Sequence, residues 1–166
     1  MHADVLKAPT FAFLVRHPAH FVALGFGAGL SPVAPGTAGT LVALPIAWLL
    51  HVFAGTATWL ATVVVITAIG AWSTQITTRD LGVADHGSVV IDEIAAFLLV
   101  LFFTGSEPWR QAFAFVLFRF FDIVKPPPIR QIDRATTNAV GVMADDFAAA
   151  GYTIIVLAIG ERLFGV

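Results

Sequence analysis

Five apolar runs constrain this chain more than any other feature: Leu41–Val52, Ala57–Trp72, Ser88–Gly105, Trp109–Val124 and Ala144–Phe164. They are continuous, not alternating, so they read as helices and not as the strands of a barrel. Apolar residues make up 58% of the 166 residues and charged residues 12%, against about 45–50% and about 25% in ordinary soluble domains. A soluble core of this size cannot hide that much apolar surface. The chain is therefore predicted to be an all-α, polytopic membrane protein, because helices satisfy their own backbone groups in lipid. The length fits one domain, 1–166, in which 1–18 is a tail or a short amphipathic helix lying on the membrane. No signal peptide is read at the N-terminus.

Charge enters these runs in few places. Arg119 and Asp122 stand inside the end of one, Asp145 and Asp146 at the mouth of the next, and Asp92 and Glu93 near the start of a third. An ionised side chain at such depth costs several kcal/mol unless it is paired, hydrated or bound to an ion, so each is a functional candidate. The segment from Arg119 to Asp146 alone holds four of the nine basic and four of the eleven acidic residues. Adjacent helix positions point about 100° apart, so Asp92 and Glu93 are expected to face different ways. Asp122 is three residues from both Arg119 and Lys125, and can meet either on one face. Acids at a helix start are also ordinary caps, a structural reading that applies to Asp145 and Asp146.

Between Phe21 and Thr40 lie five glycines and two prolines with almost no charge. This predicts a re-entrant or interfacial segment before the first span. The amides of Gly36, Thr37, Gly39 and Thr40, opening the next helix, could cradle a phosphate; a tight turn is the plainer account. The run from Ala38 to Ala54 pairs with that from Ala57 to Trp72 as a helical hairpin, with Trp48, Trp59 and Trp72 suited to interfacial belts. Ser73–Gly87 reads as a polar loop carrying the solvated acids Asp80 and Asp85. Ile129–Met143 reads as a second loop. The count is four to five transmembrane helices. With five, Lys7, Arg16, Arg79, Arg119, Lys125, Arg130 and Arg134 share one side and Arg110 and Arg162 the other, which predicts the charged loops in the cytoplasm. Net charge is −2, with no basic excess to suggest nucleic acid.

Carboxylates with few His and no Cys suit a hard ion with oxygen ligands, above all Mg²⁺. Arg and Lys beside them suit an anion, and a phosphate fits both. Acids gathered near one interface favour surface chemistry on a membrane-embedded substrate over an ion relay across the bilayer. The alternative from another class is an ion-coupled carrier using Asp92, Glu93 and Asp122.

Four stretches, GFGAGLSPVAPGTAGTL (25–41), SVVIDE (88–93), FRFFDIVKPPPIRQID (118–133) and AVGVMADDFAAAGY (139–152), together resemble the phosphatidylglycerophosphatase A family of bacterial membrane lipid phosphatases. The resemblance spans roughly Pro18 to Leu163. One departure is Asp85-His86-Gly87, where the family commonly has Asp-Pro-Gly, which makes His86 a poor candidate for acid or base. The resemblance implies Mg²⁺-dependent hydrolysis of phosphatidylglycerophosphate to phosphatidylglycerol and phosphate, at the cytoplasmic face of the bacterial inner membrane. It also implies a shared polar set of Thr37, Thr40, Asp92, Glu93, Arg119, Asp122, Lys125, Asp133, Asp145 and Asp146. On that basis Mg²⁺ falls on some of Asp92, Glu93, Asp122, Asp145 and Asp146, and Arg119, Lys125 and Gly36–Thr40 hold the phosphoryl oxygens. Glu93 or Asp133 is the expected base, with an Asp or Thr37 nucleophile as the variant. Asp122, Lys125 and Asp146 complete the catalytic set. A phosphatase or phosphotransferase on another lipid phosphate is the nearest alternative.

Overall fold

A computed structural model describes residues 8–83, 85–127, 129–131 and 139–164. Two short helices open the chain. In α1 (Phe11–Arg16) Thr10 accepts from the Phe13 amide, and in α2 (Pro18–Ala23) His17 Nδ1 accepts from the Ala19 amide. Each cap satisfies an amide that the helix itself leaves unpaired. A 3₁₀ segment follows at Gly25–Leu30. The predicted re-entrant stretch is thus two tight helical turns and a bend. Gly25 and Gly27 take positive φ there, and so does Phe26, at 59°.

Four more helices are long: α3 (Pro35–Phe53), α4 (Thr56–Leu81), α6 (Pro108–Val124) and α7 (Ala139–Phe164), with the shorter α5 (Ile91–Thr104) among them. Pro35 and Pro108 sit in the first turns of their helices, where a missing N–H costs nothing. Pro45 leaves α3 unbroken. Tight turns join α3 to α4 and α5 to α6, so the neighbours run antiparallel. Ten of the 14 residues of α5 are buried, because α3, α4, α6 and α7 all pack against it. Its Phe97 meets Phe118 of α6 at 5.3 Å between ring centres. The outward faces stay apolar, with Val64, Ile123 and Ile155 all exposed, as a bundle surrounded by lipid tails requires.

Among the described residues, three helices, Pro35–Phe53, Thr56–Leu81 and Met143–Leu163, are long and apolar enough to cross a membrane. This agrees with an all-α membrane fold, and α5 and α6 run beside them. At 14 residues α5 spans about 21 Å, short of a hydrocarbon core of about 30 Å.

Several sequence expectations are corrected. Ser73–Leu81 is not loop but the last turns of α4, and Ser73, Thr74, Thr77 and Thr78 are buried there. Asp80 is on that helix too, paired with His20 at 3.0 Å and Arg79 at 3.3 Å. Trp59 is no belt residue: it is buried and donates Nε1–H to the Leu98 carbonyl at 3.1 Å. The last helix begins by Ala139, not Ala144, which moves Asp145 and Asp146 inside it and removes their reading as caps.

Candidate functional site

The up-and-down order brings five helix ends to one side: the start of α3, the end of α4, the start of α5, the end of α6 and the start of α7. The charged residues of the runs meet there. Asp92 and Glu93 from the first turn of α5 and Asp146 from the second turn of α7 each offer an oxygen, all within 4.8 Å of one another. Asp92 and Asp146 are buried and Glu93 nearly so. The expectation that Asp92 and Glu93 point apart therefore fails. Asp92 Oδ1 accepts from the Glu93 amide at 3.1 Å, and the extra methylene of Glu93 lets its carboxylate reach the same cluster.

Among the described residues, one guanidinium borders this cluster. Arg119 Nη1 lies 2.6 Å from Asp122 Oδ2 and 3.6 Å from Glu93 Oε1, and donates to Thr40 Oγ1 at 3.4 Å. Thr40 in turn donates to the Gly36 carbonyl at 2.8 Å, one turn back along α3. Gly36 explains how the Gly-rich helix start approaches so closely. A Cβ there would overlap Glu93 Oε1 and come within 3.1 Å of the guanidinium. Gly39 acts in the same way on the following turn, where a Cβ would meet the Val90 side chain at 2.5 Å. Thr37 lies on the first turn with Gly36, half-buried.

The second cation is Lys125, which ends α6 in a left-handed conformation at φ 46°. That turn swings its side chain onto Asp145 of α7, rather than back onto Asp122 as spacing alone suggests. Tyr152 ties the same two segments, donating to the Pro127 carbonyl at 2.9 Å. His86 Nδ1 accepts from the Ser88 amide at 3.1 Å, a role in loop shape. Asp133 and Arg134 lie outside the described residues.

The structure thus gathers Gly36, Thr40, Asp92, Glu93, Arg119, Asp122 and Asp146 into one cluster, with Lys125 and Asp145 paired beside it. Glu93 Oε2 and Arg119 Nε are buried without a hydrogen-bond partner. A buried acceptor and a buried donor left open at one site mark a place for a ligand. Three carboxylate oxygens this close, walled from water, need a counter-charge or a proton. Hard oxygen donors of this kind fit Mg²⁺. What sequence reading missed is the latch outside the cluster, where His20 is held between the Phe13 carbonyl at 2.9 Å and Asp80. The helical spacing of Ser73, Thr74, Thr77, Thr78 and Leu81 was the signal that α4 continues to Asp80.

Residues 21–161 match the family described as Phosphatidylglycerophosphatase A. The chain is 42% identical over 142 residues to Phosphatidylglycerophosphatase A of Haemophilus influenzae, covering 85% of this chain and 87% of that protein. It is 39% identical over 149 residues to the protein of that name from Escherichia coli, covering 89% of this chain and 84% of the relative. A Bacteroides thetaiotaomicron protein provisionally named as a phosphatidylinositol-3-phosphatase is 36% identical, over 96% of this chain and 100% of its own length. No solved structure matches. The chain belongs to the phosphatidylglycerophosphatase A family.

Proposed function

We propose that this member of the family hydrolyses phosphatidylglycerophosphate to phosphatidylglycerol and inorganic phosphate, at the cytoplasmic face of the bacterial inner membrane. The observation that carries the reading is a cluster of three carboxylates with one guanidinium at its edge, set at a single end of a lipid-facing bundle. Family membership supplies the substrate, and the excess of basic residues on the side of the site supports the orientation.

Asp92, Glu93 and Asp146 would hold Mg²⁺, with Asp122 and Asp145 next to them. The ion supplies a Lewis acid that draws charge from the phosphoryl oxygens and makes water a better nucleophile. The chain's own residues do the rest. Arg119, fixed by Asp122, turns its open Nε–H to a phosphoryl oxygen, with Thr40 and the first-turn amides of α3 around it. Glu93 Oε2 is an open acceptor and takes the proton of the attacking water. The water oxygen bonds to phosphorus, the bond from phosphorus to the glycerol oxygen breaks, and the proton held by Glu93 passes to the leaving oxygen. Lys125 offsets the negative charge of the departing phosphate.

The test is phosphate release by the purified chain in detergent micelles, with Mg²⁺ and with excess EDTA. Release that EDTA abolishes and Mg²⁺ restores is the expected result. Release that EDTA leaves unchanged would remove the ion from the reaction. A second substrate, phosphatidylinositol 3-phosphate, belongs in the same assay because of the name given to the Bacteroides relative. Faster release from it would shift the headgroup assignment without moving the site.

A further inference from the structure

We propose that His20 is a positioning residue for the acid cluster: with a proton on both ring nitrogens it clasps α1 and α2 to the last turn of α4, and through α2 it fixes the residues that launch Asp92 and Glu93, a role that rests on the reading of those acids as the site. His20 is 1% exposed. Its Nδ1 lies 2.9 Å from the Phe13 carbonyl oxygen and its Nε2 3.0 Å from Asp80 Oδ2. A carbonyl oxygen only accepts, so Nδ1 donates; an ionised carboxylate only accepts, so Nε2 donates as well. Only the imidazolium carries both N–H groups. Asp80 is the ionised partner, because Arg79 Nε and Nη2 each donate to its Oδ1 at 3.3 Å. The Phe13 ring lies flat on the His20 ring, with 4.0 Å between centres and 6° between planes, and holds it from a third side.

Among the described residues, few charged groups surround His20. From α4 come Asp80 and Arg79. On α2 itself the His17 ring is 5.5 Å away, but its Nδ1 accepts from the Ala19 amide and holds no proton there. From α1 come Phe13 and an exposed Arg16. The 3₁₀ segment GFGAGL has no titratable side chain. Raising the pH removes one N–H of the imidazolium and leaves a lone pair facing an acceptor. The clasp is therefore made in acid and opens in alkali.

From His20 to the acids the contact is direct. Ala23 follows His20 by one turn of α2. The Ala23 carbonyl accepts from the Val90 amide at 2.9 Å, and Val90 is the cap from which α5 starts, with no side-chain bond to hold it. Asp92 and Glu93 come in the turn that follows. Two glycines of the 3₁₀ segment close the same joint. A Cβ on Gly25 would meet Val90 at 2.6 Å, and one on Gly29 would overlap the Ser88 carbonyl. Ala19, Ala23 and Leu24 are fully buried, so α2 lies tight on its neighbours. Release of this helix pair at Asp80 loosens the first turn of α5, and with it the geometry on which turnover depends.

The test compares the full wild-type chain in detergent micelles with Asp80→Asn, from about pH 5.5 to about pH 8.5. The new side-chain amide turns to accept from Nε2–H or to donate to bare Nε2, so this variant keeps the clasp in both states of His20. The first readout is hydrogen exchange of the amides of residues 11–23 and of Val90, corrected for the intrinsic effect of pH. Wild-type protection should fall about tenfold toward alkaline pH, as one charge-assisted bond is lost, and stay level in Asp80→Asn. His20→Phe, which keeps the ring stack without either N–H, should exchange fast at every pH. The second readout is the ratio of wild-type to Asp80→Asn turnover at each pH, in which titration of the acids and of His17 cancels. It should be near one in acid and fall about threefold in alkali. Protection that changes alike in the two chains, protection that changes at residues 11–23 but not at Val90, or a turnover ratio flat with pH would each overturn the proposal. If the wild-type chain releases no phosphate, the reading of the site has failed, and the exchange at Val90 still decides whether His20 positions the start of α5.

Discussion

Asp146 is held among like charges, and that position separates catalysis from stability. Replacing it with Asn keeps its shape and removes one charge from three carboxylates whose oxygens lie within 4.8 Å. The repulsion falls, so the melting temperature in detergent should stay level or rise, while phosphate release should drop by about 100-fold or more. Stability gained at the expense of activity is the mark of a functional site. A variant that melts earlier yet keeps its activity would take Asp146 out of the site. Gly36 makes a second case at this scale. Gly36→Ala should lower turnover by pushing Glu93 and Arg119 apart, because the added carbon has no free volume. Gly55→Ala, at a residue with nothing within 4 Å of the added carbon, should leave turnover and melting unchanged. Equal behaviour of the two would show that close packing at Gly36 has no bearing on the chemistry.

At the scale of elements, α5 is the axis and two contacts hold its neighbours in register. Trp59 fastens α4 to α5 through its hydrogen bond to Leu98 at 3.1 Å, away from the acids. Trp59→Phe should cost about 1 kcal/mol of stability without changing kcat, read by thermal unfolding beside the activity assay. Lys125 fastens α6 to α7 by pairing with Asp145, a residue only 8% exposed. Lys125→Met leaves a buried carboxylate with less compensation and should cost about 3–5 kcal/mol, some of which Asp145→Asn should restore in the double variant. Independent, additive losses would mean that the pair is not coupled. The helices and the gathering of acids at one end were legible in the sequence, since apolar runs and the charges that break them need no long-range information. Three things were not. The end of α4 was hidden because Ser and Thr on a buried face look like a polar loop. The start of α7 was hidden because Gly141 and the polar stretch before it look like a turn. The convergence of Asp92 with Glu93 depends on side-chain length and on where Asp146 arrives from α7, which helix periodicity does not contain.

For the molecule as a whole, the parity of the helices makes one claim about the membrane. Gly55 joins α3 to α4 at the end away from the acids, and Gly87 lies in the segment leading into α5 at the acid end; both are exposed. The chain has no cysteine, so Gly55→Cys and Gly87→Cys each create a single reactive thiol. Both positions have open space for a side chain, and neither belongs to the site. An impermeant thiol reagent added to intact cells should label Gly55→Cys from outside and reach Gly87→Cys only after the inner membrane is opened. That pattern follows if the basic residues beside the acids stay in the cytoplasm, where a soluble phosphate product would be released. The opposite pattern would keep the bundle and its site but turn both over, and hydrolysis would then release phosphate on the outer side. Labelling of both positions from outside would break the antiparallel order of α3 to α5 across the membrane, on which the gathering of the five helix ends depends.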